Sequence, residues 1–141
     1  MIILNFSHEL TDKQEESIRK LTNTSDEEWN KSKTYRVKCY INIEKNLDDQ
    51  IDEILSNIPD MWTNNRILVV PPPIAHSAIM ILLGIYSKCG FFPETIRIKK
   101  RKGSTPPEYV VAEIIALQEF KDRMRAKRQN QKIIVKNIGE N

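Results

Sequence analysis

Two short apolar runs, Ile2-Ile3-Leu4-Asn5-Phe6 and Ile67-Leu68-Val69-Val70, carry no polar alternation. Strands half-exposed to water alternate with a period of two, so unbroken runs of this length read as strands buried on both faces. A sheet buried on both faces needs helices above and below it, which narrows the chain to an α/β layout. Residues 35–43 behave differently: Tyr35, Val37, Cys39, Ile41 and Ile43 alternate with Arg36, Lys38 and Asn42. That segment reads as a wetter strand nearer a sheet edge. The 141 residues suit one domain, able to bury roughly two-thirds of its unfolded surface.

Helical patterns separate these runs. Thr11-x-x-Gln14 has the form of a capping box and opens a helix expected to bury Ile18 and Leu21. Ser25-x-x-Glu28 offers a second start beside Trp29, and Ile51, Ile54, Leu55 and Ile58 form one helical stripe. The helix after Pro73 is apolar nearly all round. Its small residues, Ala75, Ser77, Ala78 and Gly84, suit either core burial or the close approach of a partner subunit. Alternating strands and helices predict a Rossmann-like, doubly wound, mainly parallel sheet of order 2-1-3-4.

A fourth strand over residues 95–99 leads into the β-branched segment 108–115. We read the pair as a terminal β-hairpin, followed by a helix over 117–128. A rival reading starts one long helix at Thr105-Pro106-Pro107-Glu108, with Thr105 as cap and Pro106 at the first helical position. Val110, Val111, Ile114 and Ile115 favour the hairpin. The domain thus spans residues 1–128 and residues 129–141 form a tail, within which 132–136 could add an edge strand.

Charge is mildly basic overall, 22 Lys and Arg against 19 Asp and Glu, and uneven along the chain. Residues 97–102 hold five cations and no acid, and residues 121–132 hold six against one. Acids gather in residues 9–28 and 44–60, so one end of the molecule is expected to attract anions. Cys39 and Cys89 lie far apart in no metal or redox motif, which reads as reduced thiols of a cytoplasmic protein. No signal peptide is read at the start, and the uncharged stretch 74–87 suits a core helix better than a membrane span. A dinucleotide fingerprint, a Walker A loop, a nucleophile elbow and metal-ligand spacings are all missing. No cofactor or metal is expected, and any catalysis would be metal-independent.

In open α/β sheets ligands bind beyond the carboxyl ends of the strands, where first and third strands meet. Three loops are expected there. The first carries Ser7, His8 and Glu9; the second carries Pro72, Pro73, His76 and Ser77. The third is the basic loop with Lys99, Lys100, Arg101, Lys102, Gly103, Ser104 and Thr105. Two of these loops precede helix N-termini, whose free N–H groups and dipole favour anions. Ammonium, guanidinium and hydroxyl groups crowded onto one bend suit phosphate. Plainer roles fit some of the same residues: Ser7 as a helix cap, His8 as a loop residue, His76 as a core histidine, the charge run as a solvated loop. Gly90-Phe91-Phe92-Pro93 falls at the opposite end of the sheet and reads as structural.

Three motifs in order carry a resemblance. Ile3-Leu4-Asn5-Phe6-Ser7-His8-x-Leu10-Thr11, Gly90-Phe91-Phe92-Pro93, and Gly103-x-x-Pro106-Pro107-x-Tyr109-x-Val111-Ala112-Glu113-Ile114-Ile115-x-Leu117-Gln118 resemble a small CRISPR-associated family, the fifteenth of the Csx series. The likeness runs from residue 1 to about 128 and leaves the tail outside. It implies the CRISPR-associated Rossmann fold, a role in type III antiviral defence, and recognition of cyclic oligoadenylate, with cyclic tetra-adenylate first in line. Small stand-alone proteins of this wider group either hold that messenger or cut it as ring nucleases. Holding it, and so lowering its free concentration, is our first expectation.

Cutting would need a ribose 2′-hydroxyl in line with its phosphate, a base such as His8, and a cation such as Lys102 or Arg101. A homodimer would offer two copies of each loop to a symmetric ring, and ligand could bridge dimers into a higher assembly. Neither membrane nor DNA is an expected partner. A different class of function, an RNA-binding or structural adaptor, would use Arg123, Arg125, Lys127 and Arg128. Aromatic residues for base stacking are missing there.

Overall fold

The computed structural model describes residues 1–59 and 64–130. The residues 132–136 named above lie outside that range. A five-stranded sheet of order β2-β1-β3-β4-β5 forms the middle layer. β1 (Ile2–Asn5) and β3 (Ile67–Val70) are buried along their whole length and pair in parallel from Ile2↔Ile67 to Asn5↔Val70. β2 (Lys33–Arg36) flanks β1 and β4 (Glu94–Lys100) flanks β3, both in parallel. β5 (Tyr109–Ala116) closes the sheet antiparallel to β4, so the hairpin forms and the long helix from Thr105 does not.

Helices cover both faces. α3 (Leu47–Ser56) and α4 (Ala75–Cys89) pack Ile51, Leu55, Ile81 and Ile85 onto Leu4 and Val69. α1 (Asp12–Leu21) packs Ile18 onto Ile3, Leu68 and Ile96 on the other face, with Trp29 of α2 (Asp26–Lys31) at its margin. Both capping boxes form, at Thr11 with Gln14 and at Ser25 with Glu28. Leu21 is 52% exposed rather than buried, although Ile18 and Thr22 of the same helix end are buried. Among the described residues no helix is long and apolar enough to cross a membrane.

The second strand is shorter than its alternation suggests. β1 ends at Asn5, whose carbonyl takes the last ladder bond from the Val37 N–H at 2.8 Å. Beyond that point no described strand remains to pair with, and residues 38–43 leave the sheet. Tyr35, Val37, Cys39 and Ile41 still turn half-buried side chains to the core, while Ile43 is exposed. Burial pushes the Cys39 and Cys89 thiols up, and both are free.

A register shift at Arg97/Ile98 makes Ala112 the extra residue of a β-bulge. It lets Val111 and Ile114, three apart, both join the cluster on the α1 face. At the amino ends of β3 and β4, Arg66 grips Glu94 through two bonds of 2.5 and 2.7 Å and donates to the Thr22 carbonyl at 3.1 Å. Gly84 marks where α3 and α4 come closest, since a Cβ there would meet the buried Leu55 side chain. Gly84→Leu is expected to lower stability by about 1–3 kcal/mol through overpacking. Urea unfolding followed by circular dichroism checks it, and an unchanged midpoint would mean the helices can part freely.

Candidate functional site

The loops after β1, β3 and β4 converge beside α1 and the β4–β5 hairpin around a cleft of 1180 Å³. Each wall has a local cause. Asn5 is the one polar residue in the first apolar run and is 1% exposed. Its Nδ2 donates to the His8 carbonyl at 2.8 Å, and its Oδ1 accepts the Ser7 N–H at 2.9 Å. That pair of bonds curls residues 5–8 and presents Ser7 and the exposed His8 to the cleft. Ser7 is therefore no helix cap; Thr11 has that role.

Gln14 does two jobs. Its Oε1 accepts the Thr11 N–H at 3.0 Å within the capping box, and its Nε2 donates to the Tyr109 carbonyl at 2.8 Å. A single side chain thus starts α1 and ties it to the first residue of β5. Tyr109 is exposed on the cleft wall.

The turn between β4 and β5 is held by Ser104 and Gly103. The Ser104 hydroxyl donates to the Arg101 carbonyl at 2.7 Å and accepts the Glu108 N–H at 3.0 Å. Gly103 has φ +75°, a conformation that a side chain would strain. The turn sets Arg101 against Glu108, with Nη2 and Oε2 2.6 Å apart, and Lys13 of α1 approaches the same carboxylate at 3.8 Å. Arg97, also on the wall, donates to Glu113 at 3.0 Å. Lys13, Arg97 and Arg101 thus supply cations to the cleft, and Glu9 and Glu108 supply carboxylates.

Of the residues expected at the site, Ser7, His8, Pro72, Pro73, Arg101 and Thr105 line this cleft. Lys99, Lys100, Lys102 and Gly103 are exposed outside its lining. Successive side chains of a strand leave on opposite faces, and a turn reverses the chain, so a run of cations cannot all serve one crevice. Ser104 is buried in the turn that it staples. The two histidines do not share a crevice: His76 is exposed in the first turn of α4, away from the cleft and from the core. Ser77 is fully buried at the next position, its hydroxyl oxygen without a hydrogen-bond partner among the described residues. Gly90 caps α4 with φ +80°, and Phe92 stacks on Tyr86 at the far end of the sheet, in keeping with a structural role.

Arg97 belonged to the basic run read from the sequence, whereas Asn5, Lys13, Gln14, Glu108 and Tyr109 were not singled out for the cleft by sequence reading. One of them left a signal, since an asparagine closing an unbroken apolar run has to satisfy its amide inside the protein. Among the described residues no cluster of three His, Cys, Asp or Glu is placed to hold a metal ion. The chain matches no protein-family model, no curated protein and no solved structure.

Proposed function

We propose that the cleft binds a cyclic oligoadenylate, cyclic tetra-adenylate before other ring sizes, and that the protein lowers the messenger's free concentration by holding it. On this reading the domain is of the CRISPR-associated Rossmann type and serves type III defence. The observation that carries it is the cleft itself: three strand-end loops meet where Lys13, Arg97 and Arg101 line one wall system. Its 1180 Å³ exceeds the roughly 300–1,000 Å³ of small-molecule sites, which suits a ligand larger than one nucleotide. Guanidinium groups take phosphate oxygens in pairs, and Tyr109 offers an exposed ring to a base.

His8 supports the second reading, slow metal-independent ring cleavage. It stands exposed in a cleft that also holds Arg101, so a base and a cation share one site. The 2′-hydroxyl would attack the adjacent phosphorus, its proton passing to His8, while the 5′-oxygen leaves and a 2′,3′-cyclic phosphate remains. Arg101 takes the charge-stabilising part here, since Lys102 stands outside the lining.

Mixing excess protein with cyclic tetra-adenylate without metal, then resolving free and bound fractions by liquid chromatography and mass spectrometry, tests both. Intact ligand in the bound fraction is the expected result. Linear products ending in 2′,3′-cyclic phosphate would make the protein a ring nuclease, and ligand left free and intact would sink both readings. Salt offers an independent check. If all three cations meet phosphates, raising salt from about 50 to 200 mM weakens binding up to about 20-fold. Affinity that ignores salt would mean the phosphates lie elsewhere.

A further inference from the structure

α5 (Leu117–Asn130) is anchored at its start. The Gln118 Oε1 accepts the Phe92 N–H at 2.8 Å, and the Lys121 Nζ lies 5.5 Å from the Tyr86 ring centre. Beyond Lys121 every residue through Gln129 is exposed. A groove of 780 Å³ runs between α5 and α4. Phe120 and Met124 line it from α5, 48% and 37% exposed, and Ile79 and Leu83 line it from α4, 62% and 56% exposed. Leu82, Phe92 and Leu117 complete the lining and are half-buried. Among the described residues nothing covers this groove, and contiguous apolar surface of this kind marks an interface.

Two properties of the lining say what fits. The first is charge. Its charged side chains are Lys121, Arg125 and Arg128, while Glu119 and Asp122 lie off this face. An apolar trough with a wholly cationic border suits a partner that carries carboxylates beside an apolar stripe. A second α5 would set these cations against their own copies, and residues 131–141 hold two lysines to one glutamate. The second property is the backbone. Among the described residues the groove is bounded by α4, α5 and Phe92, not by a sheet edge. Helix interiors have their backbone groups paired, so an extended segment would find no ladder here and would leave its own N–H and C=O groups bare. A helix satisfies its backbone internally and offers apolar residues at i, i+3, i+4 and i+7. A planar membrane would meet the exposed Ile79 and Leu83 but not the half-buried Leu82, Phe92 and Leu117.

We propose that the α4–α5 groove docks an acidic amphipathic helix of another protein. The apolar stripe of that helix covers Phe120, Met124, Ile79 and Leu83, and the carboxylates flanking it pair with Lys121, Arg125 and Arg128. The lining runs from Leu117 to Arg128, about 16 Å of helix, so the docked segment has roughly three to four turns. α4 packs on the sheet face opposite α1, and α1 walls the cleft. A helix seated here leaves the cleft open, so this interface stands or falls apart from the proposed ligand.

Fluorescence anisotropy of the full chain with a labelled helical peptide of about 14 residues is the test. The peptide carries Leu and Phe on one stripe and Glu on its flanks, and a second version has Lys in place of every Glu. The acidic version is expected to bind saturably and about tenfold tighter than the basic one. Leu83→Glu, at an exposed position, should weaken it about tenfold. Arg125→Glu with Arg128→Glu should reverse the preference in favour of the basic peptide, an outcome that an unfolded variant cannot give. Failure of both peptides to bind overturns the proposal. So does binding indifferent to Leu83→Glu, or a preference that the charge variant leaves unchanged. Rival occupants give results of their own, each overturning it. Acidic-peptide binding seen only after Ile133→Asp with Ile134→Asp would give the groove to residues 131–141. A dimer in sedimentation velocity that Leu83→Glu dissolves would give it to a second copy. Flotation with phosphatidylserine vesicles that the same variant abolishes would give it to a membrane.

Discussion

Arg101→Glu is expected to weaken capture of cyclic tetra-adenylate on the order of 100-fold, measured by isothermal titration calorimetry. A charge-assisted hydrogen bond contributes about 1.5–3 kcal/mol, and each 1.4 kcal/mol is tenfold in affinity. Reversing the charge adds repulsion of the phosphates to the loss of the bond. Arg101 bears this weight because, of the five cations in residues 97–102, it alone is both on the cleft wall and fixed by the turn geometry. Arg101→Met removes the charge without reversing it and should cost about tenfold. The Arg101 side chain is exposed, so melting should move little in either variant; a binding loss that tracks a loss of fold would assign the effect to the turn instead.

Glu108→Gln is expected to act in the opposite direction, tightening binding about three- to tenfold. The Glu108 carboxylate holds Arg101 at 2.6 Å and draws Lys13 at 3.8 Å, standing where a phosphate oxygen would compete. Exposed ion pairs contribute about 0.2–1 kcal/mol, which bounds what the ligand must displace, and removing a fixed negative charge from the cleft adds to it. The turn survives the substitution, since Ser104 grips the Glu108 backbone and not its side chain. The gain should shrink at high salt. Unchanged or weaker binding would show that no phosphate meets Arg101.

Much of the scaffold was legible in the chain. Ile2–Asn5 and Ile67–Val70 lack alternation because both their faces are covered, and that alone places them in the middle of a parallel sheet. Thr11 with Gln14 and Ser25 with Glu28 start helices through bonds that span three residues, so no distant partner is needed. The three loops at the strand ends follow from the strand order. Where the reading went astray, the deciding partner lay far off in sequence. Residues 38–43 alternate like a strand, yet among the described residues they join no strand, since β1 stops at Asn5. Lys99, Lys100 and Lys102 share a charge run with Arg101, yet the pleat and the turn leave them outside the cleft lining.

By itself, then, the sequence determined the α/β layout, the order of the first four strands and the position of the crevice, because periodicity and capping are local properties of a chain, while it favoured the hairpin over one long helix without deciding between them. Only the tertiary structure decided which cations face the cleft, that Gln14 bridges α1 to Tyr109 across 95 positions, that Arg66 clamps Glu94, and that Phe120 and Met124 lie bare beside Ile79 and Leu83. Those outcomes depend on where separate elements come to rest against one another, and no local pattern encodes that distance.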